Sequence, residues 1–518
     1  MNQGRFISRN ARYFPDHPAV IFEDRVMSFR QLDERSNRLA NALLGLGLRK
    51  GDRVAFQMSN RPAIVEIECA LYKAGLVRVP LNARLAPAEV VDVIHNGDPL
   101  VFIVGDSHTG AVQELAGQLG NVRHFVSTGA RVTGWHEYES LLQQAADTNP
   151  DVPMQADDLA VLHYTSGSTG KLKAAMQTVG NRMSHLRKVA MHRMRVAPGD
   201  VLLLSGPMTH ASGMFIQPFL YQGGTILVQE KFDPDALLAA VQRWRVTYTF
   251  MVPTMLNRLA TQPGLHRHDF SSLKQIAYGG APMAPARIRE AWETLGPVLS
   301  QGYGGGETTG GLILLSTQDH ERAIREVPAR LASCGRPIGE SEVRVVNERG
   351  IPVSGDEVGE IVVRGPDVFA GYWREPELTK AAFDAGGWLH TGDLARVDEE
   401  GFIAIVDRSK DMIISGGFNI YPTEVEQALY AHPAVYEACV VGVPDDTWGE
   451  AVKAVVVLRP GLQATEQDLV RHCREVMADF KKPRSVAFVA ELPRNPNGKI
   501  ARKAVREPFW AGMDRRVG

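Results

Sequence analysis

The chain contains the stretch Tyr164-Thr165-Ser166-Gly167-Ser168-Thr169-Gly170-Lys171-Leu172-Lys173, which follows the apolar, strand-like run Leu159-Ala160-Val161-Leu162. Glycines let a backbone approach an anion closely, and hydroxyl, amide and ammonium groups donate hydrogen bonds to it. The pattern therefore predicts a loop after a strand that binds a polyphosphate. It is not a Walker A loop, because that motif requires glycine where Thr165 stands and Ser or Thr where Leu172 stands. A flexible linker has a similar composition, but a position inside a strand-bounded segment argues against one.

The composition is typical of a soluble globular enzyme. Of the 518 residues, 44% are apolar and 22% are charged, and the formal net charge is −2. A chain of this length usually divides into at least two subdomains. Its balanced charge does not indicate binding to nucleic acid or to acidic lipid. The N-terminus lacks the apolar segment of a signal peptide and no apolar run is long enough to span a membrane, so we expect a cytoplasmic protein. Reduced, buried thiols are expected at the isolated cysteines Cys69, Cys334, Cys439 and Cys473, which lack the spacing of a disulfide framework or a zinc site.

Helix and strand patterns alternate through about the first 320 residues. Residues 28–31, Ser-Phe-Arg-Gln, read as a capping box before a run of helically spaced leucines. Helical spacing recurs at Pro234–Trp244 and Pro285–Leu295, each followed by an apolar run, which predicts layered α/β structure. From about Arg336 short runs separated by glycine predict a compact β unit, and beyond Asp407 a small α+β domain is predicted.

Four further segments carry groups that packing alone does not explain. They are Tyr278-Gly279-Gly280-Ala281-Pro282, Gln301-Gly302-Tyr303-Gly304-Gly305-Gly306-Glu307, Trp388-Leu389-His390-Thr391-Gly392-Asp393 and Leu492-Pro493-Arg494-Asn495-Pro496-Asn497-Gly498-Lys499. Tyr303 can stack on a purine, Glu307 can bind magnesium, and Asp393, placed after a tight turn, can accept hydrogen bonds from ribose hydroxyls. Taken singly, the segments also fit ordinary tight turns and a solvated lysine.

Together and in this order, the segments resemble the adenylate-forming superfamily, which includes acyl-CoA synthetases, firefly luciferase and the adenylation domains of nonribosomal peptide synthetases. The resemblance extends from Leu32 to about Trp510. It implies two α/β subdomains and a β-barrel in residues 1–407, a hinge at 408–410, and a small, mobile α+β domain in 411–518. The acyl-CoA synthetase branch is favoured by Ser415-Gly416-Gly417 and Phe480-Lys481-Lys482-Pro483.

The resemblance implies a first reaction in which a carboxylate attacks the α-phosphorus of ATP, giving an acyl-adenylate and pyrophosphate. Lys499 would bridge the carboxylate and the α-phosphate, and Glu307 would hold Mg²⁺. Asp393 and Arg408 would bind the ribose. The triphosphate loop would comprise Thr165, Ser166, Gly167, Ser168, Thr169, Gly170 and Lys173, and the adenine would lie between Tyr303 and the run Gly279, Gly280, Ala281 and Pro282.

In the implied second reaction, the thiol of coenzyme A attacks the acyl-adenylate and releases AMP. The small domain would rotate about Lys410 and bring Gly416 and Gly417 to the site, where glycines leave room for the pantetheine arm. His210, in the segment Pro207-Met208-Thr209-His210-Ala211-Ser212-Gly213-Met214, would act as a gate or contact the carbonyl. Alternatively, His210 is a loop residue with satisfied hydrogen bonds.

Three residues depart from the superfamily pattern. Leu172 replaces a proline and Ala174 a glycine in the loop, so we expect a weaker affinity for ATP. Gly306 replaces a threonine whose hydroxyl commonly contacts the α-phosphate, so we expect slower adenylation unless Thr308 or Thr309 supplies the hydroxyl. The consecutive glycines at this position would also leave one wall of the acid pocket open, which favours a bulky or rigid acid.

The candidate lining of the acid pocket is mostly apolar and offers no partner for a second charge. It comprises Met208, Met214, Met251, Val252 and Thr254. These residues predict a fatty, aromatic or alicyclic monocarboxylic acid, although the methionines also fit an ordinary core.

The leading hypothesis is therefore an acid:CoA ligase that uses ATP, Mg²⁺ and coenzyme A. A close alternative is an acyl-AMP ligase that loads the phosphopantetheine of a carrier protein. A phosphotransfer kinase and a noncatalytic nucleotide-binding module are alternatives of other classes. The expected partners are a small carboxylic acid and CoA or the carrier, with no nucleic acid, and homo-oligomers are compatible with the sequence.

Overall fold

The computed structural model describes residues 2–129, 131–166 and 172–511. These residues form a mixed α/β structure with four sheets, and the predicted fold class is confirmed. Within those ranges no helix has the length and hydrophobicity needed to cross a bilayer. All four cysteines are buried and unpaired, as predicted.

The largest sheet in the described residues has nine strands. They are β1 Pro18–Phe22, β2 Arg25–Ser28, β10 Val201–Leu204, β11 Thr225–Val228, β12 Tyr248–Met251, β13 Gln275–Gly279, β14 Leu299–Gly305, β15 Gly310–Leu315 and β16 Arg336–Pro337. The order is β16-β15-β14-β13-β12-β10-β11-β1-β2, and the pairs from β14 to β1 are parallel. Parallel strands place their carboxyl ends at one edge, where ligands bind in open α/β sheets. Gly279 and Tyr303 lie at that edge.

A second sheet has seven strands among the described residues. They are β3 Arg53–Gln57, β4 Val77–Leu81, β5 Val101–Val104, β6 His124–Ser127, β7 His136–Glu137, β8 Leu159–Ser166 and β9 Leu172–Thr178, in the order β7-β6-β5-β3-β4-β8-β9. The two strands that flank the predicted phosphate loop, β8 and β9, pair antiparallel with Thr165 opposite Lys173. The loop between them, 167–171, is outside the described residues.

Helices cover the faces of the two sheets and the small domain. They are α1 Gly4–Tyr13, α2 Phe29–Gly45, α3 Pro62–Ala74, α4 Pro87–Gly97, α5 Thr109–Leu115, α6 Tyr138–Gln144, α7 Val179–Lys188, α8 Ile216–Tyr221, α9 Pro234–Trp244, α10 Pro253–Ala260, α11 Pro285–Leu295, α12 Thr317–Arg325, α13 Pro376–Ala382, α14 Pro422–Tyr430, α15 Glu466–Val476 and α16 Arg502–Arg506. The predicted capping box is present, because Ser28 Oγ accepts the Gln31 N–H and the Gln31 side chain accepts the Ser28 N–H. The predicted helices α9 and α11 begin and end where the sequence pattern placed them.

The compact β unit is an antiparallel sheet of β17 Glu342–Val346, β18 Gly355–Arg364, β19 Leu389–Val397 and β20 Ile403–Arg408, in that order. Its apolar face shares one buried core with β15, in which Ile361 and Ala395 pack with Leu312 and Ile313. This packing fixes β19 and β20 beside the ligand edge of the nine-stranded sheet.

The small C-terminal unit contains β21 Ile413–Ser415, β22 Phe418–Ile420, β23 Val435–Asp445, β24 Gly449–Leu458 and β25 Ser485–Phe488. The order is β22-β21-β24-β23, and β25 pairs with β24. Its core contains residues of α14 and α15, among them Val425 and Leu469. The chain passes from β20 to β21 through the 3₁₀ turn Ser409–Asp411, where the predicted hinge lies. Rotation about this turn stays a prediction.

Candidate active site

Glu307 lies where the predicted phosphate loop meets the nine-stranded sheet. Its Oε1 accepts hydrogen bonds from Thr165 Oγ1 and from the Tyr372 hydroxyl, both at 3.1 Å. The Lys173 ammonium lies 5.6 Å from the Tyr372 ring centroid, in a cation–π contact. The structure thus brings together three predicted residues and Tyr372, which no sequence signal marked. The predicted contributions of Gly167, Ser168, Thr169 and Gly170 lie outside the described residues, as does the side chain of Ser166.

The Glu307 carboxylate suits a magnesium ion held together with phosphate oxygens. Its Oε2 accepts no hydrogen bond from any described residue, whereas Oε1 is fixed by two donors. Mg²⁺ in nucleotide sites typically takes one or two carboxylate oxygens and completes its shell with phosphate and water. In the part of the chain that the structure describes, no group of three or more His, Cys, Asp or Glu side chains could hold a metal by itself. A magnesium ion here would therefore depend on the nucleotide.

Asp393 joins the two residues predicted to bind adenine and ribose. Its Oδ2 accepts a 2.6 Å hydrogen bond from the Tyr303 hydroxyl, and its Oδ1 accepts one of 3.1 Å from Arg408 Nε. Asp393 and Arg408 are paired across β19 and β20, and the nearby carboxylate raises the pKa of Arg408. Asp393 was predicted to follow a tight turn, but it lies inside β19, after Gly392 with a φ of +73°. An ionised carboxylate has about four acceptor positions, so two remain for ribose hydroxyls.

Lys499 reaches this edge from the small C-terminal unit. Its Cε and Nζ lie 3.3 Å from the position that a Cβ of Gly280 would occupy. The loop that carries it is held by Asn82, which donates to Asn497 Oδ1 at 2.8 Å, and by Thr254, which donates to the Gly498 carbonyl at 3.4 Å. Burial, and secondarily the charge of Arg408, lower the pKa of Lys499 to about 8. The ammonium is therefore partly buried and placed beside the predicted ribose ligands.

The glycine run after β13 serves two purposes. Gly279 pairs with Gly302, and a side chain at Gly279 would collide with the Gly302 carbonyl, so close strand packing explains this glycine. Gly280 has a φ of +84° and lies against Lys499, so it is the member of the run that touches another predicted site residue. No hydrogen bond of a described residue assigns a role to Ala281 or Pro282, which stay predicted adenine contacts.

His210 is partly buried and lies beside His163, which is buried. Their ring centroids are 5.4 Å apart with an interplanar angle of 61°. Burial, and secondarily the charge of Lys499, lower the pKa of His210 to about 4, and burial holds the pKa of His163 well below its usual range. Both imidazoles are therefore neutral near pH 7. His163 was not among the predicted site residues. The signal that could have marked it is its position between the apolar run Leu159–Leu162 and Tyr164, at the start of the predicted phosphate loop.

The wall at Gly306 is not open, contrary to the expectation from sequence. A Cβ at Gly306 would lie 2.7 Å from His163 Cδ2 and 2.8 Å from Thr165 Cγ2. The imidazole thus occupies the space that a threonine side chain would need. Thr308 is hydrogen-bonded within its own turn to Gly305 N and Gly310 O. Thr309 is completely buried and its Oγ1 has no hydrogen-bond partner among the described residues, so a substitute hydroxyl at Thr309 stays a prediction.

The residues predicted for the second reaction lie on the small unit and at its entrance. Gly416 and Gly417 have φ values of +58° and +82° between β21 and β22, and a Cβ at Gly417 would meet no described atom within 4 Å. A Cβ at Gly416 would collide with the Trp448 ring. Lys410 lies in the 3₁₀ turn at the hinge, where burial and the charge of Arg408 lower its pKa. The glycine pair is therefore exposed, and it does not contact the predicted ATP site in this arrangement of the described residues.

Most of the residues predicted to line the acid pocket belong to the core or to other contacts. Met208 and Met251 are buried in two separate hydrophobic cores, and Thr254 binds the loop of Lys499. Met214 remains near the site, because its Cε lies 3.2 Å from the Cβ position of Gly310. The ordinary-core alternative therefore holds for two of the three methionines.

Comparisons with known proteins agree with this geometry, which suits an enzyme that binds a nucleotide and an acid. The AMP-binding enzyme family profile matches residues 7–373, and that of the AMP-binding enzyme C-terminal domain matches residues 424–499. The feruloyl-CoA synthase of Amycolatopsis sp is 40% identical over 98% of this chain and 99% of its own. The medium/long-chain-fatty-acid–CoA ligase FadD8 of Mycobacterium tuberculosis is 35% identical over 97% of this chain and 89% of its own.

A solved structure extends the likeness to the whole fold. ATP-bound MatB from Rhodopseudomonas palustris is 32% identical, with a TM-score of 0.88 and coverage of 98% of this chain and 99% of its own. The chain belongs to the AMP-binding enzyme family, in its acyl-CoA synthetase branch.

Compensating substitutions test whether the His163 ring occupies the space that a side chain at position 306 would need. Gly306→Thr alone should lower pyrophosphate exchange by about tenfold or more, because overpacking beside His163 and Thr165 costs about 1–3 kcal/mol. His163→Ala in the same chain removes the ring, so Gly306→Thr/His163→Ala should recover most of the lost rate. Melting temperatures of all variants control for unfolding. A double variant no faster than Gly306→Thr alone would contradict this assignment.

The lowered pKa of Lys499 predicts a pH limit on adenylation. The ammonium is charged below its pKa of about 8 and neutral above it, so kcat/KM for pyrophosphate exchange should fall as the pH rises through about 8. Lys499→Arg keeps its charge at every pH used, so the variant, though slower, should lack this alkaline limb. A wild-type profile that stays flat to about pH 9.5 would show that another group controls the step.

Proposed function

We propose that this enzyme converts a carboxylic acid, ATP and CoA to acyl-CoA, AMP and pyrophosphate through an acyl-adenylate. The observation that carries the proposal is the position of Lys499 against Gly280, next to the Tyr303–Asp393–Arg408 cluster. A single ammonium group directed at the place where a bound nucleotide and an acid would meet suits attack on the α-phosphate. It does not suit transfer of the γ-phosphate, as a kinase would require.

In the adenylation step, the protein's task is to offset negative charge as two anions come together. Lys499 and Arg408 supply fixed positive charge, and a preorganised donor in a water-excluded site is worth roughly 3–4 kcal/mol. The neutral imidazoles of His163 and His210 lie beside Lys499 without competing for its charge. Magnesium bound at Glu307 would neutralise phosphate charge and orient the leaving pyrophosphate.

An exposed aromatic and cationic surface on the small unit supports CoA as the thiol. Phe418 and Phe480 stack at 4.6 Å, and Arg484 lies 5.4 Å from the Trp448 ring centroid. Phe418, Phe480 and Trp448 are 52%, 40% and 43% exposed, which is costly for aromatic side chains unless a ligand covers them. A stacked pair of phenylalanine rings and a tryptophan ring with a guanidinium against it suit an adenine base with phosphate groups. A carrier protein presents a pantetheine arm without an adenosine end, so this surface favours CoA over the carrier alternative.

The acid is proposed to be an aromatic or fatty monocarboxylic acid. Support comes from the relative named feruloyl-CoA synthase, which matches this chain over nearly its full length, and from the fatty-acid ligase FadD8. The His163 ring that fills the wall at Gly306 narrows the site there. A flat acid fits such a slot better than a branched one.

Product analysis with a Lys499 variant tests the reaction. Lys499→Ala should lower acid-dependent pyrophosphate exchange by about 10²–10³-fold, because one charge-stabilising donor is lost. The variant should still convert a supplied acyl-adenylate to acyl-CoA. Lys503→Ala, a change at an exposed lysine paired with Glu507, is the matched control and should behave as wild type. Release of ADP instead of AMP by the wild type would reveal a kinase and overturn the proposal.

The CoA surface is tested through the second step. Trp448→Ala should raise the KM for CoA by about 5- to 100-fold, since stacking of a base on an aromatic ring is worth about 1–3 kcal/mol. Pyrophosphate exchange needs no CoA and should be unchanged. Phe488→Ala, at another exposed aromatic residue of the same unit, is the control. An equal loss in both assays, or a wild type that uses only a carrier protein, would refute CoA recognition at this surface.

A further inference from the structure

Arg193 is a buried cation that has no acidic or hydrogen-bonding partner among the described residues. It ends the π-helical turn Val189–Arg193 that follows α7, and it is 8% exposed. No described residue forms a hydrogen bond or ion pair with it, and its only aromatic contact among those residues is the Phe215 ring, 5.2 Å from Cζ. π-helical turns inside helices are frequent at functional sites. Such a turn redirects the last side chain, here into the protein.

Two neighbouring buried cations differ from Arg193 because each has an acidic partner. Lys188 pairs with Asp367 at 2.7 Å, and Arg182 pairs with Glu68 at 3.6 Å. Burial alone lowers the pKa of Arg193 to about 10, and no described carboxylate opposes that effect. A guanidinium stays charged in proteins, so its burial is costly unless an anion or several hydrogen-bond acceptors compensate. An orphaned buried group in a native protein therefore calls for an explanation.

The guanidinium lies on the glycines of β14 and β15. A Cβ at Gly302 would lie 2.5 Å from Nη2, and one at Gly311 would lie 2.9 Å from Nη1. Arg193 Nε is completely enclosed and has no hydrogen-bond partner among the described residues. Larger residues at either glycine would displace the guanidinium.

Arg193 lies on the opposite face of β14 from Tyr303 and the predicted ribose ligand Asp393. Successive strand residues point to opposite faces, so Gly302 faces Arg193 whereas Tyr303 faces Asp393. Gly302 also pairs with Gly279, whose neighbour Gly280 contacts Lys499. An acid whose carboxylate meets Lys499 and whose body extends away from the nucleotide would run along Gly279 and Gly302 toward Arg193.

We propose that Arg193 binds an oxygen at the far end of the acid substrate, either a phenol or phenolate oxygen or a second carboxylate. This inference rests on the proposed acid:CoA ligase function and specifies its substrate further: a phenol oxygen keeps the acid monocarboxylic, whereas a second carboxylate would make it a dicarboxylic acid. It departs from the expectation that the pocket offers no partner for a second charge. An acid without a distal oxygen would leave the guanidinium buried and unpaired, which a site of this kind penalises strongly.

Three acids that share the cinnamate skeleton and differ only at ring position 4 test the proposal: cinnamate, 4-hydroxycinnamate and 4-carboxycinnamate. Wild-type kcat/KM for acid-dependent pyrophosphate release should favour at least one oxygen-bearing acid over cinnamate by about 10- to 100-fold, as expected for a hydrogen bond to a charged group. Whichever of the two is favoured identifies the oxygen. Arg193→Met should reduce that preference to within about threefold, and Arg195→Met, a change at an exposed neighbour, should leave it intact.

Melting temperatures separate recognition from a structural role. Without substrate, Arg193→Met should melt at or above the wild-type temperature, because methionine removes an unpaired buried charge. The favoured acid alone should raise the melting temperature of the wild type more than that of Arg193→Met, a readout that needs no turnover. Equal kcat/KM for all three acids in the wild type, or a lower melting temperature with a uniform loss of activity in Arg193→Met, would overturn the proposal. A thermal shift that depends on Arg193 without any AMP formation would instead refute only the ligase function.

Discussion

The hydrogen bonds of Asp393 to Tyr303 and Arg408 hold the site together. Tyr303 belongs to the nine-stranded sheet, whereas Asp393 and Arg408 belong to the antiparallel sheet that precedes the hinge. One carboxylate therefore fixes the position of an aromatic ring, a guanidinium and the start of the small unit. The same cluster affects the pKa of Lys499: besides burial, the charge of Arg408 lowers this pKa and the charge of Asp393 raises it. Nucleotide recognition and the placement of the lysine are thus parts of one electrostatic arrangement.

The second constraint is the docking of the small unit on the strand ends of both large sheets. Asn82 follows β4 of one sheet and Thr254 follows β12 of the other, and both hold the loop of Lys499. Further along the interface, Glu290 pairs with Arg459 at 3.0 Å, and Arg287 donates to the Val435 carbonyl. These contacts are polar and few, as expected of an interface that can separate. They bring the lysine to the site without embedding it in a common hydrophobic core.

Some buried polar groups in this protein have partners among the described residues, and others have none. Structural cations such as Lys73 and Lys188 have acidic partners at 2.6 and 2.7 Å. His163 and Arg193 are more than nine-tenths buried and have no hydrogen-bond partner among the described residues. Unsatisfied groups are costly, so they persist where a ligand completes them. Their positions, one beside Gly306 and one beside Gly302, outline the path along which an acid could lie.

The local elements and the set of chemically active residues follow from the amino-acid sequence. The capping box, α9, α11 and the strand before the phosphate loop follow from side-chain spacing, and Glu307, Asp393, Arg408 and Lys499 were recognisable as a set. Which of these residues come into contact depends on the packing of the folded chain. The contacts of Tyr372 with Glu307, of His163 with Gly306 and of Arg193 with Gly302 join residues far apart in the chain. Periodicity reports which face of an element is buried, but it carries no information on the partner across a sheet edge, because that depends on how the packed layers are placed.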